Sequence, residues 1–151
     1  MSLFKPLDPL FKTRVRDSLG RQEVMQTLGI EITALEAGEI TLTMPYAAAY
    51  TQQHGFVHAG IVATALDNAC GGAAFSLMPA DAAILTVEFK LNLLAPARGE
   101  RFVFRGKVVK PGRTITVCEA QAFAISGGEE KLIATMSGTL MALFERTGIR
   151  S

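Results

Sequence analysis

Apolar residues in the first part of the chain recur at helical spacing. This spacing covers residues 7–19, and Gly20 ends the run. Residues 22–28, closed by Gly29, are predicted to form a second short helix. We therefore expect residues 1–28 to form an N-terminal helical segment.

After Gly29 the pattern changes to an alternation of apolar and polar residues. Residues 39–44 alternate strictly between polar and apolar side chains, and Pro45 ends the run. An earlier strand-like stretch begins at Ile30, and the turn at Ala37 and Gly38 connects the two stretches. This part of the chain is therefore predicted to be a β-hairpin.

Residues 58–77 are apolar or small on nearly every side of a helix. Asp67 and Asn68 are the main interruptions among the Ala, Leu, Val, Ile, Gly and Cys residues. A helix that is apolar all round must be covered by other structure. We expect a buried helix rather than a membrane span, because the polar pair and Gly71-Gly72 lie inside the stretch.

Four further strand-like stretches follow this helix. They cover residues 83–94, 102–109, 114–125 and 131–144, with turns at 111–113 and 127–128. We find neither a linker nor an internal repeat. The sequence therefore predicts a single domain, residues 1–151, of the α+β class, in which an antiparallel sheet of about six strands curls around one central helix.

Composition narrows the choice of partners. Hydrophobic residues make up 49% of the 151 residues and charged residues only 19%, so we expect another subunit to cover part of the surface. The formal net charge of +1 gives no general attraction to nucleic acid or to an acidic membrane, and we predict neither as a partner. Two cysteines and a start unlike a secretory signal favour a cytoplasmic location.

Asp67 is the strongest candidate for chemistry. A carboxylate in an otherwise apolar helix is costly unless something requires it. The start of the same helix, at Ala59 and Gly60, offers backbone N–H groups that can hold the oxygen of a polarised carbonyl. The alternative for Asp67 is a hydrogen bond to a loop with no chemical role.

Helical geometry separates these two groups. His58 and Asp67 are nine residues apart, which places them on opposite faces and ~13 Å apart along the axis. They cannot reach one carbonyl from the same helix. If both belong to one site, Asp67 comes from a second copy of the chain, which requires a homodimer with two equivalent sites.

Three stretches together resemble a known family. HAGIVATALDN at residues 58–68, TVEF to LAPA within residues 86–97, and GKVVKPGRT at residues 106–114 resemble the hot-dog-fold thioesterases of the phenylacetate-degradation type, in the 4-hydroxybenzoyl-coenzyme A thioesterase superfamily. The resemblance covers roughly residues 25–145. It implies an acyl-coenzyme A (acyl-CoA) thioesterase that works as paired hot dogs, often assembled into tetramers. It implies no cofactor, since coenzyme A is part of the substrate.

The resemblance also implies roles for individual residues. Asp67 would activate water or attack the thioester directly. The N–H of Ala59, where the family usually has Gly, would bind the carbonyl oxygen, and the added methyl group could narrow the acyl pocket. Gln52 occupies a position that often carries Asn to place the water, and Gln53 is its competitor for that role. Thr86 matches a Ser or Thr that supports the water or the carboxylate.

The remaining candidates are weaker. His58 could orient the loop or lie near the sulfur, and Asn68 is a further substrate-binding candidate beside Asp67. We expect no metal, because His54 and His58 have no further ligand near them. For the phosphates of coenzyme A, the candidate cations are Lys110, Arg113 and Lys90, each of which could equally be a solvated surface charge.

The predicted function is therefore hydrolysis of acyl-CoA to the free acid and coenzyme A. One rival is a hot-dog dehydratase or hydratase, although the Pro-rich signature that usually precedes its helix is missing at residues 54–60. A second rival is a non-catalytic acyl-CoA-binding module. The sequence leaves open an aromatic or a medium-chain acyl group, a dimer or a tetramer, and Asp67 as base or as nucleophile.

Overall fold

Two helices open the chain, as the sequence pattern predicted. The computed structural model describes residues 2–145 and 148–149. Helix α1 covers Phe11–Gly20 and helix α2 covers Glu23–Leu28, which Gly29 closes in the left-handed conformation at a φ of 66°. Helix α1 begins later than predicted, because the Asp8 carboxylate accepts the N–H of Leu10 (2.9 Å) in a local turn.

A single antiparallel sheet of six strands follows, which confirms the predicted fold class. The strands are β1 (Glu31–Glu36), β2 (Glu39–Pro45), β3 (Ala83–Leu93), β4 (Arg101–Lys110), β5 (Ile115–Ser126) and β6 (Glu129–Leu143). Their order in the sheet is β1-β2-β4-β5-β6-β3, so β1 and β3 are the two edge strands. Within the described residues, no helix is both long and apolar enough to cross a lipid bilayer.

The long apolar stretch forms helix α3, Ala59–Phe75, which lies directly on the inner face of the sheet. Its backbone approaches β4 so closely that a Cβ built on Gly106 would come 2.3 Å from the Ala69 carbonyl oxygen. A Cβ on Gly72 of the helix would likewise come 2.7 Å from the Ile40 side chain. The small residues of α3 and of the sheet therefore set the spacing between the two layers.

The sheet covers α3 on one side but leaves a stripe of it open, so the expectation of cover on every side is met only in part. The side chains or backbone of this stripe are partly accessible and recur at helical spacing. We define the open stripe by its residues: Gly60, Ala63, Thr64, Asp67, Asn68 and Gly71. Helix α3 therefore presents small residues and one carboxylate to whatever approaches between α2 and β3.

The N-terminal segment holds the far end of α3. Arg14 of α1 pairs with Asp8 (2.7 Å) and donates to the carbonyl oxygens of Met78 (2.7 Å) and Phe75 (3.3 Å). Its guanidinium lies 4.3 Å from the centroid of the Phe75 ring. A cation that binds carbonyl oxygens at and just beyond the end of a helix stabilises that end, so α1 helps to hold the C-terminal end of α3.

Candidate active site

The backbone just before α3 is held by hydrogen bonds from two directions. The His58 N–H donates to the Tyr50 carbonyl (2.8 Å), and the Val57 N–H donates to the Ala97 carbonyl (3.0 Å). His58 has extended dihedral angles (φ −58°, ψ 139°) and caps the helix, since its Nδ1 accepts the N–H of Gly60 (2.9 Å). In this geometry His58 orients the helix start.

This cap leaves one backbone donor free. The Gly60 N–H is bound by His58, whereas the N–H of Ala59 has no acceptor among residues 2–145 and 148–149. Ala59 is the first residue of α3, where the helix dipole is most positive. Of the two donors predicted from the sequence, the Ala59 N–H is therefore the one available to a carbonyl oxygen.

A cavity of about 580 Å³ opens beside this donor. The loop before α3, the segment after β3 and the first part of β6 form its walls. The residues that line it are Gln52, Gln53, Phe56, Val57, His58, Ala59, Val62, Leu93, Leu94, Ala95, Pro96, Ala97, Ile133 and Ala134. No Asp, Glu, Lys or Arg occurs in this lining, so an uncharged group fits it.

The structure places both predicted glutamines in this cavity with the helix start. Gln52 is partly buried, and its side-chain oxygen accepts the backbone N–H of His54. Gln53 is exposed and has no such local bond among the described residues. Gln52 is therefore the more fixed of the two amides.

Asp67 lies on the open stripe of α3, and its half-buried side chain reaches Thr86 on β3. The Thr86 hydroxyl donates to its Oδ1 at 2.8 Å, so these two predicted site residues do meet. Burial raises the pKa of Asp67 above its usual value, and the bond from Thr86 partly opposes that rise. The neighbouring Asn68 donates instead to the sulfur of Met25 (3.2 Å).

Within one chain, the carboxylate and the free donor do not share a cavity. Asp67 lines two clefts on the open stripe, whereas Ala59 lines the uncharged cavity. Asp67 is eight positions after Ala59 in the helix, which corresponds to ~12 Å along the axis. The separation inferred from helical geometry is therefore present in the structure.

The predicted cations all lie away from that cavity in their own chain. Lys90 pairs with Ser137 across the outer face of the sheet and donates to Asn92 (3.0 Å), so the sheet separates it from α3. Lys110 is exposed at the end of β4. Arg113 lines a different cavity of about 740 Å³, at the other end of α3, between the N-terminal segment and the β4–β5 turn.

One cation beside the cavity, Arg98, was not predicted from the sequence. The guanidinium of Arg98 lies 5.1 Å from the centroid of the Phe56 ring, and Phe56 lines the cavity. No sequence motif marks this contact, because it joins two loops that are distant along the chain.

The other nucleophilic side chains serve the core. Cys70 and Cys118 are buried free thiols whose pKa values burial raises, that of Cys118 to about 12. Ser76 is buried and saturated, since its hydroxyl donates to the Ala73 carbonyl (2.6 Å) and accepts the Gly38 N–H (2.7 Å). These residues are structural, which leaves Asp67 as the reactive candidate.

Comparison with known proteins agrees with this geometry. Residues 54–131, just over half of the chain, match the thioesterase superfamily. A crystal structure of a thioesterase family protein from Silicibacter pomeroyi is 63% identical, covers 89% of this chain and 98% of that one, and has a TM-score of 0.88.

Two further proteins are similar to this chain at lower sequence identity. A Saccharolobus solfataricus protein with a provisional esterase name is 31% identical over 99 residues, 66% of this chain and 70% of that protein. A phenylacetic acid degradation-related protein from Ralstonia eutropha is 24% identical, covers 87% of this chain and 98% of that one, and has the same fold at a TM-score of 0.76.

The chain therefore belongs to the thioesterase superfamily, and its fold is the hot-dog fold. It is a thioester hydrolase.

Proposed function

We propose that this protein hydrolyses acyl-CoA thioesters as a homodimer in which each site combines two chains. One observation carries the proposal: the free Ala59 N–H opens onto an uncharged cavity, while the half-buried carboxylate of Asp67 lies on the open stripe of the same helix. A second copy, with its α3 packed antiparallel on this stripe, would bring Asp67 of the partner subunit to the Ala59 N–H.

In the proposed reaction the thioester carbonyl accepts the Ala59 N–H, which stabilises the negative oxygen of the tetrahedral intermediate. The partner's Asp67 takes a proton from water as the water oxygen bonds to the carbonyl carbon. The C–S bond then breaks, the proton on the partner's Asp67 passes to the departing sulfur, and the products are the carboxylic acid and the thiol of coenzyme A. Thr86 holds the carboxylate, and Gln52 is placed to orient the water.

Direct attack by Asp67 is the other route to the same products. It would form an anhydride between the carboxylate and the acyl group as the C–S bond breaks and coenzyme A leaves, and water would then cleave the anhydride. A single turnover in ¹⁸O-labelled water tests for direct attack. Label in the carboxylate of the protein would show direct attack, whereas label in the released acid alone fits general-base catalysis and also an anhydride that water cleaves at its acyl carbon.

The edge strand β3 is the proposed dimer interface. Among the described residues its backbone pairs on one side only, and large apolar side chains along it remain accessible, including Val87 (54% exposed) and Phe89 (44%). Phe89 also lines the cleft that contains Thr64 and Asp67 of the open stripe. Pairing of two β3 strands around a two-fold axis would cover both surfaces together.

Phe89→Glu is expected to convert the dimer into a monomer and to abolish most thiol release. A charge at this position would be buried at the proposed interface, whereas in a single chain the side chain stays accessible. Mass measured by light scattering during size-exclusion chromatography, together with thiol release, checks both effects.

Ala34→Glu is the matched control, because it places the same charge on the exposed face of β1, the opposite edge strand. It should leave both mass and activity unchanged. A Phe89→Glu protein that remains dimeric and fully active would exclude β3 as the interface.

The cavity lining also predicts the charge of the acyl group. An acyl chain that ends in a carboxylate inside the cavity would bury that charge among lining residues that include no Lys or Arg. We therefore expect kcat/KM for a neutral acyl-CoA to exceed that for a dicarboxylic acyl-CoA of equal length by at least ~30-fold, the equivalent of about 2 kcal/mol.

A thiol-release screen tests this prediction and the proposed function together. The screen should include aromatic and medium-chain acyl groups, since the lining suits both. It should also include enoyl and 3-hydroxyacyl thioesters. Hydration or dehydration without thiol release would indicate a hot-dog dehydratase, and saturable binding without any turnover would indicate a binding module.

A further inference from the structure

The guanidinium of Arg98 lies over the ring of Phe56, a residue that lines the uncharged cavity. The guanidinium carbon is 5.1 Å from the centroid of that ring. Stacking holds a long, exposed side chain in one place at little cost, because the planar guanidinium keeps its N–H groups free at the edge.

The backbone on either side ties Arg98 to the helix start. The buried Ala97 accepts the N–H of Val57 (3.0 Å), and the Arg98 N–H donates to Pro96 (2.9 Å) in a tight turn. Val57 directly precedes His58, which caps α3. The position of the guanidinium is therefore coupled to the position of the Ala59 donor.

The charge of Arg98 also has no ion-pair partner in the part of the chain that the structure describes. Among residues 2–145 and 148–149, no carboxylate lies within ion-pair distance of it. The cavity beside it has no Asp, Glu, Lys or Arg in its lining. A ligand that fills the cavity with a neutral portion and extends an anion past Phe56 would meet this cation first.

We propose that Arg98 binds a phosphate group of the coenzyme A portion of the substrate. The proposal rests on the proposed function, since coenzyme A carries its phosphates at the end of a long neutral arm. The arm and the acyl group suit the uncharged cavity, and the guanidinium offers paired N–H donors that match phosphate oxygens. Arg98 thus takes the role that the sequence had suggested for Lys110, Arg113 and Lys90.

The test compares two thioesters of the same acyl group, one with coenzyme A and one with pantetheine, which lacks phosphate. Arg98→Ala should raise KM for the coenzyme A thioester on the order of tenfold, with kcat little changed. It should leave the KM for the pantetheine thioester as it was. Arg98→Lys should recover part of the lost affinity, because lysine keeps the positive charge but lacks the paired N–H donors of the guanidinium.

Arg101→Ala is the matched control, since it removes an exposed arginine three residues away on β4. It should change neither KM. An equal rise in KM for both thioesters after Arg98→Ala would mean that the residue only shapes the loop, and would overturn the proposal. If KM for the coenzyme A thioester alone rises in Arg113→Ala but not in Arg98→Ala, the phosphate binds at the other end of α3 and the proposal is wrong.

Calorimetric binding of coenzyme A itself keeps this proposal separate from the proposed function. If the wild-type protein releases no thiol from either thioester, the proposed function fails. The Arg98 proposal still stands if Arg98→Ala weakens binding of coenzyme A but not of pantetheine. It fails if both bind equally well to the variant and to the wild-type protein.

Discussion

Asp67→Asn will lower kcat for an acyl-CoA substrate by a factor on the order of 10²–10⁴, the usual contribution of a positioned general base. The amide keeps the size of the carboxylate and can still accept the Thr86 hydroxyl bond, but it cannot take a proton from water. Stopped thiol-release assays on the purified protein measure the effect. Turnover like that of the wild-type protein would remove Asp67 from the mechanism.

Loss of fold cannot account for this result, because the same variant is expected to be more stable near neutral pH. The pKa of Asp67 in the folded protein is raised by burial, so its charged form costs folding free energy above that pKa. The cost disappears as pH falls through the folded pKa. In chemical unfolding, the free energy of unfolding of Asp67→Asn should therefore exceed that of the wild-type protein at pH 7 and be close to it near pH 3.

The same raised pKa gives the activity a pH signature. A general base acts only when ionised, so kcat/KM should fall on the acidic side, with an inflection above the usual aspartate value of 3.8. Thr86→Val removes the hydrogen bond that lowers the pKa of Asp67, so it should shift this inflection to higher pH. Thr86→Ser retains the hydroxyl and serves as its control.

Ala59→Pro will lower kcat by about 10²–10³, because proline has no N–H to bind the carbonyl oxygen. The helix should tolerate the change, since Ala59 is the first residue of α3 and His58 already has the extended backbone that precedes proline. Ala59→Gly retains the N–H and should stay within a few-fold of wild type. Circular dichroism checks that both variants keep the fold.

Mixing the two inactive proteins then tests whether each site spans two chains. A heterodimer of Asp67→Asn and Ala59→Pro contains one site with both groups intact, since each chain supplies what the other lacks. After free exchange of subunits the mixture should recover about a quarter of wild-type activity. Recovery should be absent if each site uses one chain, and two affinity tags confirm that heterodimers formed.

Much of the site could be predicted from the sequence because it depends on helical periodicity. The apolar run that became α3 and the opposite placement of His58 and Asp67 follow from the constant rotation per residue. The small residues of that run were also visible in the sequence, and the structure uses them for close packing, as Gly106 against Ala69 shows. The strand pattern likewise predicted the six strands.

Other features could not be predicted because they depend on contacts between distant segments. The stacking of Arg98 on Phe56 exists because the segment after β3 lies against the loop before α3. The engagement of the Gly60 N–H by His58 could not be foreseen, since histidine is not a preferred capping residue. The open stripe could not be predicted from its composition, because small residues occur both in a core and at an uncovered face.

The close seating of α3 on the sheet has a consequence for altering substrate range. A methyl group at Gly106 would push against the Ala69 carbonyl, so enlarging side chains beneath the helix would shift the helix and with it the Ala59 donor. Leu94, in the segment after β3 that forms another wall of the uncharged cavity, is mostly exposed and makes no such contact with the helix. Engineering for bulkier or smaller acyl groups should therefore begin at that wall, where volume can change without moving the catalytic groups.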